Sequence, residues 1–209
     1  PEVYAIDSGR GFMLLADLGD ALYLPELESQ QRGGGELTVD QLYKQAIDSL
    51  LLMQQRVDPQ RLPPYDQPAL REEGALFAPW FCEGLLRYAL NKNELELIER
   101  ALDLLEQAAL AQPQVAVHRD FHSRNLMLLD REKFPRASGP GIIDFQDAVA
   151  GPYSYDLVSL LRDCYIFWPD AEVRAWCDYY LQAAHQRDML EQVDGERLRR
   201  DLDLMGLQR

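Results

Sequence analysis

Lysine is scarce in this chain: 209 residues contain only Lys44, Lys92 and Lys133. With arginine they make 21 basic residues against 35 acidic ones, a net charge of −14. That shortage disfavours a broad nucleic-acid surface, which needs clustered cations to displace counterions, and no nucleic-acid partner is expected. Cysteine is equally sparse. Cys82, Cys164 and Cys177 are odd in number and widely spaced, which fits neither a disulfide framework nor a zinc site; the simplest reading is a reducing compartment, so we expect a cytoplasmic protein. No apolar run approaches the ~18 residues of a membrane span, and no membrane partner is expected. Pro1-Glu2-Val3-Tyr4 does not resemble the charged and then apolar start of a secretory leader. What the chain does have is hydrophobic residues, 47% of the total, enough for the core of one large domain or two small ones.

Two short strands, Val3 to Ile6 and Phe12 to Ala16, flank the glycine-bearing turn Asp7-Ser8-Gly9-Arg10-Gly11, and a lone hairpin of this kind needs further structure to cover it. Gln30 to Glu36, with Gly33-Gly34-Gly35, reads as a flexible linker rather than a nucleotide loop, because the G-x-G-x-x-G spacing is missing. Thr38-Val39-Asp40-Gln41 is a capping box that opens a helix running to about Gln55. Helices are expected over Ala69 to Ala78 and Trp80 to Asn91, broken at Pro79. The most regular helix follows, capped by Asn93 and stopped by Pro113, with Leu95, Ile98, Leu102 and Leu105 as a core-facing stripe. Val115 to Val117, Leu126 to Leu129 and Gly141 to Ile143 are strand candidates. Tyr153 to Phe167, Ala171 to Glu191 and Glu196 to Met205 read as helices. The expected class is α+β, a mainly helical body with a small sheet.

That small sheet carries the polar constellation. His118-Arg119-Asp120-Phe121-His122-Ser123-Arg124-Asn125 lies between two strand candidates, and Asp144 ends a third in Ile142-Ile143-Asp144-Phe145. Side chains at strand ends and in short loops converge on one point while the helices hold the frame. An acid, an amide five residues later and a second acid are what magnesium-dependent phosphoryl transfer requires. Asp120 aims the attacking hydroxyl or accepts its proton. Asn125 and Asp144 supply oxygen ligands to Mg2+, which shares its coordination with phosphates and water.

The spacing H-x-D-x-x-x-x-N, followed by I-D-F, resembles the catalytic segment of the protein-kinase-like superfamily, in its small-molecule branch around aminoglycoside phosphotransferases and choline kinases. His122 stands where Ser/Thr protein kinases usually carry lysine. Asp144-Phe145-Gln146-Asp147-Ala148 and Gly151-Pro152-Tyr153-Ser154-Tyr155-Asp156-Leu157 also match that branch. With Trp80-Phe81-Cys82-Glu83-Gly84, the wording is most similar to bacterial kinases acting on the anomeric hydroxyl of N-acetylmuramate and N-acetylglucosamine in cell-wall recycling. Arg119 departs from the glycine common among small-molecule kinases.

The resemblance implies a protein-kinase-like fold and assigns roles residue by residue. Asp120 matches the catalytic acid, and Asn125 and Asp144 match the metal ligands. Ala16, Asp17, Leu18 and Gly19 match the hinge that meets the adenine edge of ATP, and Met127 and Ile143 match positions under the ring. His118 and Asp156 match residues that support the catalytic loop. His122, Glu83, Asp147 and Arg124 are candidate contacts to the acceptor or phosphate. In such kinases a nucleotide-covering loop and a strand lysine precede the hinge, whereas all three lysines here follow it. The expectation is therefore residues 1–20 as the end of an N-terminal lobe plus hinge, residues 21–209 as the C-terminal lobe with its catalytic segment at 115–148, and truncation at both ends, with most of the N-terminal lobe missing. Two alternatives remain: an aminoglycoside or choline-type acceptor, or a non-catalytic kinase-like binding module.

Overall fold

A computed structural model describes residues 2–31 and 37–209. The Gly33-Gly34-Gly35 linker lies outside the described residues. Strands β1 (Val3–Asp7) and β2 (Phe12–Leu15) pair antiparallel as expected. Helix α1 (Tyr23–Gln31) was not legible, because the polar run ELESQQ carries little apolar periodicity. Its core anchors are Tyr23 and Leu27.

Helix α2 (Val39–Arg56) is the axis of the core. Thr38 accepts from the Gln41 backbone N–H, and the Gln41 side chain returns the bond, as the capping box predicts. Leu42, Ala46, Ile47, Leu50 and Leu51 are fully buried. Helix α6 (Asp170–His185) packs across α2. There Tyr43 stacks on Trp176 at 3.9 Å and accepts from the Trp168 indole at 2.6 Å. Buried Gln54 donates to the Tyr153 carbonyl at 3.0 Å and accepts from the Tyr180 hydroxyl at 2.7 Å, so the polar groups on this axis are paired rather than stranded.

Several boundaries differ from the sequence reading. Helix α3 is Gln67–Gly74. The next segment does not break at Pro79; it is a π-helix, Phe77–Leu85, running through it. The Leu86 N–H reaches the Phe81 carbonyl five residues back at 2.9 Å, and this wider turn accommodates a ring that would clash in an α-helix. Helix α4 (Lys92–Leu110) is capped by Asn91, not Asn93. The Asn91 side chain accepts from Asn93 and Glu94, and Glu94 closes the box. The helix ends before Pro113 is reached.

Strand β3 (Gln114–Val117) pairs antiparallel with β6 (Val149–Pro152). Pro152 sits at the end of β6, where its missing N–H costs no ladder bond. Strand β4 (Leu126–Met127) pairs with β5 (Gly141–Ile142). The expected small sheet is thus two separate ladders. Helix α5 (Tyr155–Leu161) is shorter than the span expected, and α6 stops at His185, before positive-φ residues Asp188 and Leu190. Helix α7 (Gly195–Gln208) packs on α4 and α5. No helix among the described residues is long and apolar enough to cross a membrane.

Candidate active site

The segment between β3 and β4 is a tight polar loop held from three directions. Buried Asp156, on the first turn of α5, accepts from the backbone N–H groups of His118 (2.6 Å) and Arg119 (3.0 Å). Those two bonds hold Arg119 at φ 76°, a left-handed conformation costly for a residue with a side chain. On the far side, Asp163 accepts from both the backbone N–H (3.0 Å) and the hydroxyl (2.5 Å) of Ser123. From the start of α1, the Leu24 N–H donates to the Ser123 carbonyl at 3.1 Å. Within the loop, the carbonyl of Asp120 accepts from His122 N–H (3.0 Å) and from Asn125 Nδ2 (3.0 Å).

These restraints bring the predicted chemistry together. The Asp120 carboxylate is half exposed, and among the described residues its ion-pair partner is His122 Nε2 at 4.0 Å. Asn125 spends its amide nitrogen on the loop, which leaves its oxygen for a cation. Ile143 N–H donates to the Asn125 carbonyl at 3.1 Å, so the chain delivers Asp144 beside Asn125. Asp144 is exposed, adopts φ 67° and accepts from Gln146 Nε2 at 2.7 Å. Among the described residues no three His, Cys, Asp or Glu side chains converge. A cation here would take two protein oxygens and draw the rest from phosphate and water, the manner in which magnesium is commonly held.

The two residues expected to support the loop are both buried. His118 is buried against Phe121, with ring centroids 6.1 Å apart. Burial pushes its pKa below the usual value, opposed by the Ile143 backbone and the Asp120 and Asp144 carboxylates. Burial pushes Asp156 up to about 7, while the N–H donors of His118 and Arg119 pull the other way.

The hinge candidates flank the same hairpin. Ala16 N–H donates to the Glu2 carbonyl at 2.8 Å, and Gly19, at φ 84°, donates to the Asp17 side chain at 2.9 Å. Leu18 closes on Gly141, where an added Cβ would lie 2.7 Å from its Cδ1. Met127 is buried and bridged to Leu22, and Ile143 is half-buried.

The acceptor candidates divide. The His122 ring is nearly buried and meets the Tyr165 ring edge-on at 5.5 Å. Arg124 lies over that same ring at 4.8 Å rather than beside an acid. Asp147 is exposed and accepts a long 3.4 Å bond from Gln146. Glu83 is exposed on the π-helix and does not line the cavity beside Asp120. That cavity, about 880 Å³, is where the sequence reading fell short. Its polar wall includes Asp120, Arg119, Glu73, Gln208 and Arg209; its apolar wall includes Phe77, Trp80 and, from α4, Ile98, Leu102 and Leu105. Ile98 and Leu105, expected in the core, are half-buried and line the cavity, and Leu95 is exposed. Glu73 receives Arg119 at 2.5 Å and the Tyr65 hydroxyl. Short-range patterns could not reveal that pairing, because Glu73 and Arg119 are 46 positions apart. Only the oddity of Arg119 itself was visible.

The model of the phosphotransferase enzyme family matches residues 1–195. N-acetylmuramate/N-acetylglucosamine kinases of Pseudomonas putida and Neisseria meningitidis are 38% and 36% identical over 209 residues, which is 100% of this chain. The chain spans only 58% and 60% of those relatives' own lengths. Among solved structures, an aminoglycoside phosphotransferase of Streptomyces rimosus in complex with ADP and streptomycin is similar at TM-score 0.55 and 17% identity, over 94% of this chain and 70% of that one. A type VIII aminoglycoside-3'-phosphotransferase gives 0.54 and 18%, over 90% of this chain and 66% of that one. At such identities the likeness speaks for the fold, which is protein-kinase-like.

Proposed function

The chain belongs to the phosphotransferase enzyme family, and from that membership we propose that it carries the catalytic lobe of an ATP- and Mg2+-dependent kinase for a small sugar hydroxyl, of the N-acetylmuramate/N-acetylglucosamine type. The observation that carries the reading is Asp120, a half-exposed carboxylate fixed through its own backbone at the wall of an 880 Å³ cavity. An acceptor hydroxyl in that cavity meets Asp120, which orients it and takes its proton as its oxygen bonds to the γ-phosphorus of ATP and the bond from that phosphorus to the bridging oxygen breaks, releasing ADP. Bound magnesium would neutralise phosphate charge; the Asn125 oxygen and Asp144 are the side chains placed to hold it. The backbone of Ala16, Asp17, Leu18 and Gly19 faces the adenine edge, with Met127 and Ile143 beneath the ring. His122, beside Asp120, contacts the transferring phosphate. A cytoplasmic location follows from dependence on ATP.

Charge distinguishes among acceptors. The protein surface is acidic, yet the cavity wall sets Arg119 and Arg209 against Glu73 and Asp120, and Glu73 is already engaged by Arg119 and Tyr65. A polycationic aminoglycoside calls for an excess of free carboxylates; this wall suits a neutral or anionic sugar. The names of the relatives support the same choice. Assaying the intact protein with N-acetylmuramate, N-acetylglucosamine and kanamycin in competition checks it. The acetylated sugars are expected to be phosphorylated and kanamycin to compete poorly; preferential phosphorylation of kanamycin overturns the acceptor assignment.

A further inference from the structure

We infer that the apolar wall of the acceptor cavity is an acyl subsite, one that takes amino sugars whose N-acyl group is longer than acetyl. The inference rests on the proposed placement of the acceptor hydroxyl at Asp120. With that hydroxyl fixed, the sugar ring lies along Arg119 and Glu73, and, Tyr155, Gln208 and Arg209 apart, the remaining lining is apolar, Phe77, Trp80, Ile98, Ala101 and Leu105 among it. These side chains offer sugar hydroxyls almost no partners, and a hydroxyl desolvated there without a partner is penalised. Methylene groups gain from the same surface.

Size points the same way. About 880 Å³ lies near the upper end of the roughly 300–1,000 Å³ of pockets that enclose drug-sized ligands, and a single sugar ring with an acetyl group is smaller than those. The wall is also built rather than incidental. Phe77 and Phe81 stack at 5.3 Å along the π-helix. Gly74 lets α3 approach α4, since a Cβ there would stand 2.7 Å from Leu102. The wide turn through Pro79 sets Trp80 at the mouth, 73% exposed and free to cover an incoming chain.

The test compares N-acetylglucosamine with N-hexanoylglucosamine, by calorimetric affinity and by kcat/KM in the intact protein. Each buried methylene is worth about fourfold in affinity; with half of the four added methylenes buried, the hexanoyl sugar should bind roughly fifteenfold tighter. Ala101→Phe, at an exposed helical position that tolerates substitution, fills the subsite and should bring the affinity ratio close to one; circular dichroism checks that the variant is folded. Equal or weaker binding of the hexanoyl sugar, with N-acetylglucosamine still phosphorylated, overturns the subsite and leaves the proposed function standing. A hexanoyl advantage that Ala101→Phe does not reduce overturns its location. Failure of both sugars to bind overturns the subsite together with the reading it rests on.

Discussion

Asp156 shows how one buried carboxylate shapes the site. Its oxygens take the two amides that precede Asp120, yet burial raises its pKa from 3.8 to about 7. Between those values the folded protein keeps a proton that the unfolded chain releases. Stability from this group is therefore full below about pH 4 and is lost as pH rises to about 7, by at most ~1.4 kcal/mol per pH unit. His118, whose pKa is lowered, works in the opposite direction, so the readout is a difference between proteins. Denaturant unfolding of wild type and Asp156→Asn at pH 5, 6, 7 and 8 should show wild type losing stability relative to the variant as pH rises; a pH-independent difference would contradict the assigned titration. Asn125 and Asp144 stand at spacings that the sequence itself displays, and Asp156 was singled out through the family resemblance. Asp163 and Glu73 were not. Each reaches the loop only by tertiary contact, 40 and 46 positions away respectively, and an isolated Asp or Glu looks like any surface acid.

Among the elements, boundaries were misread where local signals competed. Asn91 and Asn93 are both plausible caps by type, and the deciding feature is Glu94, three residues after Asn91, which closes the box. Asn91→Ala is expected to cost about 1 kcal/mol of unfolding free energy, and Asn93→Ala less than about 0.5. Thermal or urea unfolding of the two variants measures this, and a larger loss at Asn93 would return the cap to that residue. Pro79 misled for a different reason: the rule that proline breaks a helix assumes α-helical spacing, and the segment widens to a π-turn instead. That turn and part of the α4 stripe form one wall of the cavity beside Asp120. A stripe of Ile98, Leu102 and Leu105 reads as core in any periodicity analysis, and periodicity cannot distinguish a core from a cavity.

For the whole molecule, the kinase-like arrangement was legible because hydrophobic patterning and the catalytic motif agree. The helices supply the body, and two short connections, β3–β4 with Asp120 and Asn125 and β5–β6 with Asp144, are tied together by the Ile143 N–H bond to the Asn125 carbonyl. Charge operates at two scales: the chain is strongly acidic at −14, while the cavity wall sets Arg119 and Arg209 against Glu73 and Asp120, so overall charge is no guide to the charge beside Asp120. The central claim is that Asp120 aims and deprotonates the acceptor hydroxyl. Its most direct test is steady-state sugar phosphorylation by intact wild type and Asp120→Asn, with nucleotide affinity measured alongside. The account predicts a fall in kcat of roughly 10²- to 10⁴-fold with nucleotide affinity unchanged. An Asp120→Asn protein that turns over at the wild-type rate would contradict it.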